Sequence, residues 1–100
     1  MNFTVSDVPE RERFEARTDD GELAGVLTYQ LTGGIIAYTH TKVEEPYEGH
    51  GAGSALARAA MDDARNKGRV VVPLCPFLKG WLDEHHEYDK LIARQTRKVK

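Results

Sequence analysis

The chain changes its hydrophobic period once, at Pro46, and this switch restricts the possible folds more than any other feature. Before it, apolar residues alternate with polar ones. After it they recur at three- and four-residue steps, and a short, uniformly apolar run follows. Strands therefore come first, then a helix, then one more strand. From Glu12 to Thr18, Phe14 and Ala16 alternate with Arg13, Glu15 and Arg17, which predicts a strand with one solvated face. Asp19, Asp20 and Gly21 turn the chain. Leu23, Gly25, Leu27, Tyr29 and Leu31 fall on one side of the next segment, and Thr32-Gly33-Gly34 is a hairpin signal leading into a third strand, Ile35 to Val43. These three are expected to form an antiparallel meander.

Ala52, Ala55, Leu56, Ala59, Ala60 and Ala64 give the helix its apolar stripe, with Arg58, Asp62, Arg65 and Lys67 on the wetter face and Gly68 as C-terminal cap. Val70 to Leu74 reads as a buried strand. Strand, helix and strand in this order form a crossover, which makes 35–43 and 70–74 parallel. From Pro76 a short helix runs through Trp81 and Leu82, with further turns around Tyr88, Leu91 and Ile92. The expected class is α+β, with a mixed sheet and a C-terminal helix.

The 100 residues suit one folding unit, 1–100. No apolar run approaches the roughly 20 residues a membrane helix needs, and no charged-then-apolar signal opens the chain, so cytoplasmic residence is expected. One cysteine, Cys75, excludes an internal disulfide. A net charge of −2 offers no general attraction for nucleic acid, and the basic tail of Arg94, Arg97, Lys98 and Lys100 reads as a solvated terminus. An RNA-binding role for that tail would need aromatic platforms on the strands, which the sequence lacks.

Gly49, Gly51 and Gly53 stand directly ahead of the alanine-rich helix, where each glycine costs about 1 kcal/mol of helix stability relative to alanine. The functional reading is an anion cradle. Without β-carbons, the backbone amides of Gly49, His50, Gly51, Ala52, Gly53 and Ser54 converge on a diphosphate at the helix start. The plain alternative is a glycine-rich connection. A nucleoside triphosphate loop needs a lysine before its Ser or Thr, and no such lysine is present. A dinucleotide fingerprint needs another glycine spacing, after the first strand of a parallel sheet.

Glu48-Gly49-His50-Gly51-Ala52-Gly53-Ser54, after strand 35–43 and opening a helix, resembles the Gln/Arg-x-x-Gly-x-Gly/Ala acyl-CoA loop of the GNAT N-acetyltransferases. Tyr38-Thr39-His40-Thr41, Pro73-Leu74-Cys75-Pro76-Phe77 and His85-His86-Glu87-Tyr88 extend the resemblance, over roughly the whole chain, to the small single-domain GNAT-like proteins of the YidJ type. Glu48 departs from the wider pattern of Gln or Arg, so no phosphate contact is assigned to it. The resemblance implies a minimal GNAT fold: an antiparallel meander, then a β-α-β crossover whose two parallel strands splay apart. It also implies acetyl-CoA as co-substrate, held between those strands with its pantetheine arm along Val43 and Glu44, and an amine as acceptor. Arg58 either reaches a CoA phosphate or pairs with Asp62.

Acetyl transfer needs a base for the amine and a proton for the departing thiolate. His40 lies near the end of the strand expected to line the site, and imidazoles titrate near pH ~6.5, so it can take the amine's proton directly or through water; a solvated strand histidine is the plain alternative. Glu44 and Glu45 are alternatives at the strand mouth. Cys75 follows the second splayed strand, either as a nucleophile in a two-step transfer or as a packing residue beside the pantetheine, and packing is preferred because no base pairs with it in sequence. Tyr88 matches in type the tyrosine many GNAT enzymes use to protonate the CoA thiolate; its alternative is a core tyrosine with a wet hydroxyl. A metal site at His85 and His86 is rejected, because adjacent helix residues diverge and no further ligands are spaced to join them. The expectation is an N-acetyltransferase working by direct attack on the thioester, with no metal. Its acceptor side is shallow and suits a protein, a peptide or a small polyamine, because the tight turns at 19–21 and 32–34 leave no room for acceptor-side helices. The rival is a CoA-binding module with little or no transferase activity. Acceptor and oligomeric state stay open.

Overall fold

The computed structural model describes residues 1–93; the basic tail lies outside them. Five strands form one sheet in chain order: β1 (Thr4–Val8), β2 (Arg13–Arg17), β3 (Leu23–Thr32), β4 (Ile35–Val43) and β5 (Val70–Pro73). The first three pairings are antiparallel and β4–β5 is parallel, joined across the helix α1 (Ala52–Asn66). A shorter helix α2 (Pro76–Leu82) and a 3-10 segment, His86–Leu91, complete the described chain. This is the mixed α+β architecture that the resemblance implies, with the C-terminal turns around Tyr88 forming the 3-10 segment.

β1 is a strand that the alternation did not announce. It holds only two valines in five residues, and it forms because β2 offers an edge: Thr4 pairs with Arg17 and Val8 with Arg13, while Val5 packs against the core. The core is one cluster, between the sheet and the helices on one of its faces. Leu56, Ala57, Ala60, Met61 and Ala64 of α1 meet Phe14, Leu27, Tyr29, Ile36 and Tyr38, and Leu78, Trp81 and Tyr88 close one end. The alanines matter because small side chains let the helix backbone approach the sheet. The fully buried Tyr38 reaches that backbone, its hydroxyl donating to the Ala60 carbonyl at 2.8 Å. Burial pushes the Tyr38 phenol above its ordinary value, with Asp63 adding to the shift. Gly68, at φ +66°, ends α1 as expected of a C-terminal glycine, with its N–H on the Arg65 carbonyl and the Arg69 N–H on Ala64.

One expectation from the alternation needs correction. Glu15, assigned to a solvated strand face, is 4% exposed. It does sit on the face away from the helices, but Arg11, Arg13 and Arg17 close over it, at 3.3, 2.7 and 2.9 Å. Those guanidiniums, Arg13 foremost and against the opposing effect of burial, hold its carboxyl below the usual range. Leu31 keeps the side it shares with Leu27 and Tyr29, in register with the buried Ile36, and its 41% exposure comes from its place at the hairpin end, residues 30–35.

Candidate functional site

β4 and β5 stay together for four residue pairs, Ile35–Val70 to Tyr38–Pro73, and then separate. The N–H groups of Leu74 and Cys75 both donate to the Tyr38 carbonyl, at 2.9 and 3.1 Å, and Pro76 starts α2 immediately. From Thr39 to Val43, β4 keeps its β3 partner but among the described residues has no strand on its other side. The sequence places this opening: Pro73 and Pro76 bracket the point of separation, and neither has an N–H with which to extend the ladder.

Opposite the opening, β4 carries one extra residue. Thr28 pairs with His40 while the next residue of β3, Tyr29, pairs with Tyr38, so Thr39 is a bulge. A bulge reverses the alternation that follows it. Tyr38 points into the core, Thr39 and His40 both take the face away from the helices, and Thr41 returns to the helix side. Two hydrogen bonds fix this arrangement: Thr28 Oγ1 to Thr39 Oγ1 at 2.7 Å, and Thr41 Oγ1 to Cys75 Sγ at 3.1 Å. Strict alternation would have sent His40 to the core with Ile36 and Tyr38.

The loop from Glu44 to Gly51 leads from the end of β4 into α1. A 3-10 turn, Glu45–Tyr47, is followed by Gly49 at φ +81° and Gly51 at φ +90°, both with open space where a β-carbon would stand. Left-handed backbone is the reason for glycine at these two positions. The first helical hydrogen bond is from the Ala55 N–H to the Gly51 carbonyl, no side chain caps the start, and no acidic residue occupies the first turn. The N–H groups of Ala52, Gly53 and Ser54 thus have no intrahelical partner and carry the positive end of the helix dipole. Gly53 has a different reason. It is buried, and its missing β-carbon would stand 2.8 Å from Cζ of Phe77, so the Phe77 ring rests against the first turn of α1.

The GCN5-related N-acetyl-transferase family model matches residues 13–91. The chain belongs to this family. Among solved structures, a GCN5-like candidate N-acetyltransferase from Staphylococcus aureus superimposes with a TM-score of 0.69 at 22% identity, over 92% of this chain and 89% of that one. A nourseothricin acetyltransferase gives a TM-score of 0.49 at 24% identity, over 67% of this chain and 54% of its own. No curated protein matches the chain.

Within this family member, the predicted site residues fall into three places. His40 is exposed on the open face beside the strand separation, and Val43 and Glu44 end the unpaired stretch of β4. Cys75 is 2% exposed beneath the opening, with Thr41 as its polar neighbour. Gly49, His50, Gly51, Ala52, Gly53 and Ser54 enter α1. Tyr88 lies apart from these. It is 1% exposed and packed under Arg58, Arg65 and Trp81, and its hydroxyl donates to Asp62 Oδ1 at 2.6 Å, some 15 Å along α1 from its start. Burial and the Asp62 bond push that phenol upward. Arg58 does not pair with Asp62, which Arg65 takes at 2.8 Å. Instead it reaches Glu87 at 3.4 Å and the Tyr88 hydroxyl at 3.1 Å, over the Trp81 ring. The histidines at 85 and 86 go separate ways. His85 stacks on Trp81 and bonds its carbonyl, while His86 faces Asp89. Among the described residues no group of three or more His, Cys, Asp or Glu is arranged to hold a metal. Among the described residues no helix is long and apolar enough to cross a membrane.

The sequence reading missed Thr39, Thr41 and Phe77. A bulge leaves no mark in composition, so nothing told Thr39 from its neighbours. The signal for Phe77 was present in the third glycine, which has a packing reason as well as a place in the loop.

Proposed function

We propose that the chain transfers an acetyl group from acetyl-CoA to an amine by direct attack. The observation that carries this reading is the separation of β4 from β5 beside a helix whose N–H groups are uncapped. A slot with unpaired strand edge lies next to an anion-binding terminus, as an amide-bearing arm ending in a diphosphate requires.

The residues present fit that group. Gly49 and Gly51 leave the approach clear, and the amides of Gly51 through Ser54 take the diphosphate. The free edge of β4 near Val43 and Glu44 pairs with the amides of the arm. When bound, acetyl-CoA supplies the acyl carbon already activated as a thioester. His40 takes the proton of the attacking amine, directly or through water, and holds it where the departing sulfur can recover it. Glu44, at the mouth, is the second candidate for that proton. Cys75 lines the slot through its bond with Thr41 and forms no acyl bond, since among the described residues no basic side chain is hydrogen-bonded to its sulfur. Tyr88 is a packing residue, its hydroxyl committed to Asp62. The acceptor comes from the face that bears His40.

Incubation with acetyl-CoA and a panel of amines, with free thiol followed over time, tests the reading. Acceptor-dependent thiol release is expected. Coenzyme A binding by calorimetry with no release on any amine would leave a CoA-binding module in its place.

A further inference from the structure

We propose that the open face of the sheet docks the acceptor, and that the acceptor is a polypeptide whose target amine is flanked by carboxylate side chains; this rests on the transferase reading above. Among the described residues every helix packs on one face of the sheet, since the buried residues of α1 and α2 and Tyr88 share one core. The other face carries His40 in register with Thr28 and Arg13, and Lys42 in register with Val26 and Glu15. On this face of β2 the two guanidiniums of Arg13 and Arg17 flank the single carboxylate of Glu15, which leaves a surplus of positive charge there, and the exposed Lys42 adds to it; Arg11 reaches Glu15 from the turn before β2 and is not counted. The nearby acids Glu10 and Glu12 belong to the turn before β2, outside this ladder. A cationic face next to the attack point suits an anionic chain and disfavours a polyamine.

Beyond the bulge the same face turns apolar. Ile35 and Val70 are register partners at 50% and 44% exposure, followed by the half-buried pair Ala37 and Val72. A small amine has no use for such a strip, whereas a polypeptide lying across the sheet covers both ends at once. Two strand spacings, about 10 Å, separate His40 from Arg13. An extended peptide covers that distance in about three residues, which places the favoured carboxylates two or three positions from the target lysine.

The experiment uses the full chain and lysine peptides of one length with Glu, Gln or Lys two and three positions from the target, labelled for fluorescence polarisation and also assayed for acetylation. Acid-flanked peptide should exceed the Gln-flanked one by about tenfold in both affinity and kcat/KM at low salt, with the advantage fading as salt rises. Lys42→Glu should reduce that advantage, and Val70→Glu should weaken all three peptides, with coenzyme A affinity unchanged in both. Equal binding of the three peptides, or a preference for basic flanks, overturns the proposal. So does a dimer of this chain that Val70→Glu dissolves, since the face would then be a self-interface. Because polarisation needs no turnover, an acid preference in binding without acetyl transfer would sustain the docking face while removing the transferase reading.

Discussion

The Phe77 ring lies where a β-carbon on Gly53 would stand, with Cζ 2.8 Å from that position. The contact joins the first turn of α1 to α2, the two elements on either side of the opening beyond β4 and β5. Gly53→Ala should therefore lower stability by about 1–3 kcal/mol through overpacking. In a Phe77→Ala background the same change should become neutral or stabilising, because alanine is the better helix former by about 1 kcal/mol. Thermal melts of the four proteins in the cycle check this, and additive effects would remove the contact as the reason for glycine here.

Gly51→Ala meets no such obstacle, since nothing stands within 4 Å of its β-carbon position. Its cost comes from φ +90° alone and should be about 1–2 kcal/mol, insensitive to Phe77. Gly51→Val should in addition block the approach to the amides. Coenzyme A affinity by calorimetry is expected to fall at least tenfold, and an unchanged value would contradict the cradle.

Glu15 is buried under three arginines with its carboxyl depressed, Arg13 contributing most. A depressed folded value means that the stabilisation is complete above the unfolded carboxyl value of about 4.3 and is lost as pH falls through the folded value. Glu15→Gln should cost about 1–3 kcal/mol at pH 7. The gap between the two melting curves should narrow below about pH 4. A gap that is constant from pH 7 to 2 would show that shape, not charge, makes Glu15 matter.

His40→Ala should reduce turnover by about 100-fold or more while coenzyme A binds as before, as expected for loss of a general base. Cys75→Ala should leave turnover within a few-fold. Complete loss with retained binding would instead favour an acyl-cysteine route.

Tyr88→Phe removes a hydroxyl bonded to Asp62 at 2.6 Å and should cost about 1 kcal/mol of stability with turnover little changed. A 100-fold fall in turnover with normal melting would restore Tyr88 as the thiolate's acid.

Much of this fold is legible in the sequence, because local rules write it there. Alternation marks β2, β3 and β4, the alanine stripe marks α1, and Gly68 marks its end. The glycine loop gives its own place ahead of α1, while the left-handed backbone at 49 and 51 is known only from the structure. β1 and Glu15 were less visible for one shared reason: each gets its place from a neighbour across the sheet, a free edge in one case and three arginines in the other.

Within the candidate site, the residue types at 40, 49–54 and 75 follow from the sequence alone, and an opening between the parallel strands is implied by the family resemblance. Which face His40 takes follows from neither. A single extra residue in β4 turns His40 away from the helices and brings Thr41 back to Cys75, and whether a strand bulges depends on its pairing with β3. The same holds for Gly53, whose reason lies in a ring 24 residues further along the chain. Periodicity and turn chemistry act between near neighbours, so the sequence states them directly. Bulges, ring contacts and hydroxyl partners arise between segments that meet only after folding, and only the tertiary structure decides them.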